Sequence, residues 1–246
     1  MKRFVLSLVF VVGCSSSSTS TPSASSDAGE TDGGATETDA GTSGSQCTAA
    51  REATLKPIDK VSTGAVSIVS ESGGAKVLYV DASAGGLPNA SKSPAVYINL
   101  ETATKVEVTD KTSLASTEWD LSLKRTVIYT NGGDGGPGQG GAAQVAKAFD
   151  QVTSADGVKI AQESFFDADC NAKLDEASFL ATTFSPDWYT YDEATNGVTP
   201  KTGITYVVAG GTGKKYKVAI ESFTGKPDGS TTAPAGGTFL LRVAPL

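Results

Sequence analysis

Beyond about residue 60 the chain is dominated by alternation of apolar and polar residues with a period of two. Lys105-Val106-Glu107-Val108-Thr109 is apolar on one face and polar on the other. Trp119, Leu121 and Leu123 alternate with Asp120, Ser122 and Lys124, and Tyr216, Val218 and Ile220 with Lys215, Lys217 and Glu221. This spacing predicts half-buried strands, because successive side chains of a strand point to opposite faces. Val77–Val80, Val96–Leu100 and Ile204–Val208 are more continuously apolar, as strands buried on both faces can be. Thr238–Val243 predicts a final strand. Ala209–Lys214, AGGTGK, joins two of these runs and predicts a hairpin loop. Ser83–Pro94, Asn131–Gly141 and Gly225–Gly237 are loop-like in composition, and a mobile loop is the expectation for the second. The odd positions of the Trp119 run continue as Arg125, Val127 and Tyr129. Arg125 thus falls on the apolar face, where it needs a bulge to turn it outward or a carboxylate or carbonyl partner.

No segment shows a sustained period of 3.6. The short stretches Ala142–Asp150 and Asp175–Ala181 are the helix candidates, and the first reads equally well as a strand. Many short strands separated by turn residues predict an all-β fold, an antiparallel sandwich or a related open architecture.

The N-terminus changes the setting. Lys2 and Arg3 precede the apolar run Phe4–Val12, which is too short to span a bilayer and predicts a signal peptide over residues 1–13. Val11-Val12-Gly13-Cys14 has the form of a lipobox, so Cys14 is expected to carry lipid and become the mature N-terminus. No acidic residue follows at the second mature position, which is compatible with outer-membrane sorting. Residues 14–46 hold no aromatic side chain and predict a disordered acidic tether. The whole chain carries −7. Lys2 and Arg3 account for two positive charges and Asp27, Glu30, Asp32, Glu37 and Asp39 for five negative ones, which leaves −4 on the 47–246 domain. A mildly acidic domain without a basic cluster has no electrostatic footprint for nucleic acid. Cys47 and Cys170 remain after Cys14, and in an exported domain they are expected to pair.

Composition also restricts the chemistry. The chain has no histidine, which excludes Ser-His-Asp and Cys-His catalysis. Gly210–Lys215 departs from a phosphate loop at both ends, with Val208 in place of the first glycine and Lys215 in place of Ser/Thr. Asp167-Ala168-Asp169-Cys170-Asn171, followed by Asp175, alternates oxygen ligands as a calcium loop does. However, Ala172 and Ser178 stand where an EF-hand needs Gly and Glu, so a solvated loop is expected. Asp187 and Asp192 are carboxylates too ordinary to argue a glycosidase. The reading is therefore a non-enzyme. The aromatics of Trp188-Tyr189-Thr190-Tyr191 are either core and rim, or a wall for a flat apolar ligand.

Several stretches, taken in order, resemble the HmuY-like haem-binding lipoproteins. They are YINLETATKVEV, WDLSLKRTVIYTNGG with the glycine-rich loop behind it, WYTYDEATNGVTP, ITYVVAGGTGKKYKVAIESF and the terminal FLLRVAP. The resemblance covers about Pro94 to Leu246. It implies an antiparallel, sandwich-like β domain with a cleft between β-hairpin fingers, on a surface lipoprotein. It also implies capture of haem and its transfer to a TonB-dependent outer-membrane transporter. Haem-binding members hold the iron with two His or two Met, and here the one methionine is Met1. No ligand position carries over, which leaves a Tyr phenolate or a pocket that grips a porphyrin by apolar and carboxylate contacts alone. Tyr129, Tyr189 and Tyr191 lie in the resembling stretches and are the candidate oxygen ligands, with Arg125 as the candidate anchor for a ligand carboxylate. The other reading is an interaction or structural module that keeps the fold without haem.

Overall fold

The alternating stretches fold into antiparallel strands. The computed structural model describes residues 47–176, 178–185, 188–233 and 235–246. Residues 1–46, with Cys14 and the segments read as signal peptide and tether, lie outside them, as does Asp187. In chain order the elements are helix α1 (Thr48–Leu55), then β1 (Val66–Ser72), β2 (Ala75–Asp81), β3 (Val96–Asn99) and β4 (Thr104–Lys105). There follow β5 (Leu121–Lys124), β6 (Val127–Thr130), β7 (Gly141–Val145), β8 (Tyr189–Asp192), β9 (Gly197–Pro200), β10 (Thr205–Ala209), β11 (Lys215–Ser222) and β12 (Thr238–Pro245). Three short 3-10 turns lie between them among the described residues.

A six-stranded sheet runs β1-β2-β12-β11-β10-β7, a four-stranded sheet β4-β3-β5-β6, and β8-β9 form a separate hairpin. The two larger sheets share one core. Leu78 and Val80 of β2, Tyr206 and Val208 of β10, Val218 of β11 and Leu241 of β12 pack in it with Ile98, Leu121, Leu123 and Ile128 of the smaller sheet. The architecture is therefore the expected antiparallel sandwich, with β8-β9 as a finger. Trp188 and Phe184 enter the same core from the finger side.

The larger sheet is also covered outside. Val152, Ala155 and Val207 form one cluster there, and Phe149 lies in another between two cations, with Lys217 Nζ 4.5 Å and the Arg242 guanidinium 4.4 Å from its ring. This explains why β10 is buried throughout and, Thr205 apart, apolar.

Five expectations need correction. Trp119–Tyr129 is not one strand. It turns at Arg125-Thr126, and Lys124 pairs with Val127 across a two-residue hairpin. Trp119 precedes β5 and does not share the face of Leu121. It packs with Ala95 and Tyr97 on the outer side of the smaller sheet. Lys105–Thr109 yields only the two-residue β4, because the chain leaves the sheet after Lys105, although Val106 and Val108 still pack on Trp119. Asp175–Ala181 is a tight turn closed by Asp175 N–H on Phe179 O and by Phe179 N–H on Asp175 Oδ1, with Leu174 bridged to Leu180, rather than a helix. The helix lies instead at α1, which has no strong apolar periodicity.

The fifth correction is the glycine-rich loop 131–141, which packs tightly. A Cβ on Gly132 would lie 2.0 Å from Gly140 O, and one on Gly136 would lie 2.8 Å from Trp119 Cζ2. Only glycine permits such approach. Asn131 ties the loop together: its Nδ2 donates to Ser116 O and Trp119 O, and its Oδ1 accepts from Gly138 N–H. Buried Glu163 fastens the far side, accepting from the N–H and hydroxyl of both Thr130 and Thr183. Burial pushes its carboxyl up, and these hydrogen bonds oppose that shift.

Candidate functional site: a rim of Arg125 and two tyrosines

The β5–β6 turn places Arg125 at a position where Gly, Asn or Asp is usual. Its φ is +54°, in the left-handed region. Three contacts hold it. Its N–H donates to Ala82 O (2.8 Å), its Nη1 donates to Gly236 O (2.6 Å), and its guanidinium lies 5.9 Å from the Phe223 ring centre. The carbonyl partner expected from sequence is thus Gly236. A strained non-glycine residue at a hairpin tip is the kind of outlier that points to function.

Trp188 leads into the finger and fixes its base. Its Nε1 donates to Thr126 O (3.1 Å), the residue next to Arg125, and its ring packs on Phe223 and Phe239. Tyr189 stacks edge-on against Trp188 at 4.5 Å. Burial pushes the Tyr189 phenol up. Tyr189 and Tyr191 lie two apart on β8 and so share a face, opposite Pro200 and Val198 of β9. All seven tyrosines are described, and Tyr191 alone is exposed, at 54%. Its hydroxyl donates to Asn196 Oδ1 (2.7 Å).

Trp188 thus ties the turn of Arg125 to the base of the finger that carries Tyr189 and Tyr191, and these two elements make up one rim. Tyr129 lies elsewhere. Ile128 faces the shared core and Tyr129 the opposite side, where its ring meets Trp119 and Phe165 edge-on and its hydroxyl pairs with Tyr97 Oη (3.4 Å). Burial raises the Tyr129 phenol, which disfavours a phenolate there. Sequence reasoning missed Phe223 and Gly236 as the residues that seat Arg125. The Gly236-Gly237 pair was the available signal, since a Cβ on Gly237 would crowd Arg125 Nη1 at 3.3 Å.

The other candidates are occupied locally. Cys47 and Cys170 form a disulfide, with Cα atoms 5.4 Å apart. Both Asp167 oxygens accept from the Asn171 side-chain amide, and Oδ1 also takes the N–H of Asp169 and Asn171. These bonds hold the Asp167 carboxyl below its ordinary range. The alternating acidic string is thus folded on itself. Among the described residues no group of three or more His, Cys, Asp or Glu is placed to hold a metal ion. None of the described helices is long and apolar enough to cross a membrane. A depression of about 310 Å³ lies on the far side of the larger sheet, lined by Phe149, Ile204, Ala219 and Glu221 among others, and contains none of the four candidates.

The family model for "HmuY protein" matches residues 91–235, more than half of the chain and the whole of this rim except Gly236 and Gly237. The chain belongs to the HmuY family. Similar solved structures include a lipoprotein candidate from Bacteroides fragilis, with 16% identity, TM-score 0.43, and coverage of 72% of this chain and 91% of that one. An HmuY-like haem-binding protein candidate from Bacteroides vulgatus gives 16%, 0.46, 74% and 98% on the same measures. The apo HmuY analogue of Tannerella forsythia gives 16%, 0.45, 75% and 97%. No curated protein matches the chain.

Proposed function

We propose that this HmuY-family chain is a lipid-anchored surface protein that captures haem or a related tetrapyrrole on the β5–β6 turn and the β8–β9 finger. Membership of the family supports the ligand class. The observation that supports the site is the Trp188 bridge between the Arg125 turn and the finger that bears Tyr189 and Tyr191. The residues fit one version of the group and not another. Two-sided His or Met ligation is excluded by composition. An exposed phenol, a ring face and an arginine with a second terminal nitrogen beyond the one on Gly236 fit a carboxylated flat ring held from one side. Bound haem would supply ferric iron, for which the Tyr191 phenolate is the accessible oxygen ligand. Arg125 would pair with a propionate. Delivery to a TonB-dependent outer-membrane transporter completes the proposal, and the domain acts by binding rather than catalysis.

Haemin titration of the purified chain tests it. The expected result is a high-spin ferric spectrum that Tyr191→Phe weakens at least tenfold. Arg125→Gly relaxes the strained turn while deleting the guanidinium, so stability holds and affinity drops. No spectral change at micromolar haemin would transfer the assignment to the second reading, an interaction module that keeps the fold. The absence of histidine and of any methionine after Met1 favours that reading.

The anchor is tested separately. Cys14→Ser is expected to leave the precursor without radiolabelled palmitate and to release it from the membrane fraction. Retained label on the variant would refute the lipobox assignment. One acyl chain gives only marginal binding, so firm anchoring needs several on the same cysteine.

A further inference from the structure

Among the described residues three charged side chains are buried: Asp120, Glu163 and Arg51. The two carboxylates are fully engaged, Asp120 by the N–H of Leu100 and Gly211 and Glu163 by its two threonines. Arg51 differs. It lies on α1, is 8% exposed, and its Nε and Nη2 are buried with no hydrogen-bond partner. These two nitrogens form one edge of the guanidinium, the fork that grips two oxygens of a carboxylate at once. A buried guanidinium without a counter-charge is strongly disfavoured.

No nearby acceptor hydrogen-bonds this edge. The groups that act electrostatically on Arg51 are Tyr129, Asp134 and Tyr97. Asp134 Oδ2 takes the N–H of Phe165 and Phe166. Tyr97 Oη donates to Asp110, whose oxygens also hold Ala95 N–H and Ile58 N–H. α1 is kept in place by the Cys47–Cys170 disulfide and by Ala50 and Leu55 packed on Phe165, Phe166 and Leu180.

We propose that the Nε–Nη2 edge of Arg51 binds a small monovalent anion, a short carboxylate or a halide, between α1 and the outer face of the smaller sheet. The anion supplies the missing acceptor and joins α1 to the sheet. The small size follows from the burial of Arg51: with α1 in place nothing bulky reaches that edge. This site is independent of the haem rim, from which the smaller sheet separates it.

Thermal unfolding of the purified chain at constant ionic strength tests the assignment. Acetate or chloride, exchanged stepwise for the bulky anion gluconate, is expected to raise the midpoint with the logarithm of its concentration. Acetate acting above chloride identifies the carboxylate as the ligand class, and the reverse the halide. Arg51→Met removes the dependence. Should that variant fail to fold, Arg51→Lys keeps the charge without the fork and is expected to lose any preference for acetate over chloride. Equal midpoints in all three salts, or an unchanged dependence in the Met variant, overturns the proposal.

Discussion

Trp119→Ala is expected to lower the unfolding free energy by about 3–5 kcal/mol, the range for emptying a buried aromatic site. Trp119 is fully buried. Its ring meets Tyr97 edge-on at 5.0 Å and Tyr129 at 5.9 Å, and its Nε1 donates to Ser113 O at 3.0 Å. Truncation leaves a cavity, breaks two aromatic pairs and orphans a carbonyl. The surroundings cannot close in, because the loop at Gly136 already rests on the ring and Asn131 fixes the main chain beside it. Trp119→Phe keeps most of the contact area and loses the hydrogen bond, so it should cost clearly less. Urea unfolding followed by far-UV circular dichroism measures both. A loss below about 1 kcal/mol for the alanine variant would show that this outer cluster is not part of the cooperative core.

The same tryptophan shows what was legible in the sequence. Period-two alternation places β11 correctly and the largely apolar runs place β2, β3 and β10, because a residue sandwiched between sheets must be apolar. The pattern failed where a strand turned without turn residues. Lys124-Arg125-Thr126-Val127 holds no Gly, Asn, Asp or Pro, so the hairpin read as a continuous strand. The left-handed φ of Arg125 is imposed by tertiary contacts with Ala82 and Gly236, more than 40 and 110 residues away in sequence. The glycine-rich loop failed in the opposite direction. Its composition matches a flexible linker, yet its glycines serve close approach of backbone to backbone, which only the fold reveals. Helix α1 carried too little periodicity to stand out, and eight residues would not hold a helix in isolation.

For the site, chemistry was legible and geometry was not. Composition alone excluded His and Met ligands and left tyrosine. Side-chain direction then decided among the tyrosines. Tyr129 and Ile128 are neighbours in β6, and the strand's alternation sends Ile128 into the shared core and Tyr129 to the outer cluster. A one-residue uncertainty in the Trp119–Tyr129 run was enough to hide this.

Loss of the Cys47–Cys170 disulfide is expected to destabilise the domain by about 5 kcal/mol in the chain-entropy account, because it closes a loop 123 residues long. That is comparable with the whole stability of a typical domain. The effect reaches beyond the unfolded chain. Cys47 stands at the N-terminus of α1, and Cys170 in the turn that follows Phe165 and Phe166. Without the bond α1 loses its covalent tie and is left with noncovalent contacts, among them the packing of Ala50 and Leu55. The double variant Cys47→Ser with Cys170→Ser should therefore unfold at a much lower urea concentration. Its amides in α1 should exchange faster than those of β10 and β12 even under native conditions. Dithiothreitol on the unaltered chain should give the same shift, with two thiols titrating after unfolding. Coincident urea midpoints with and without reductant, once those thiols are confirmed, would show that α1 is held by packing alone.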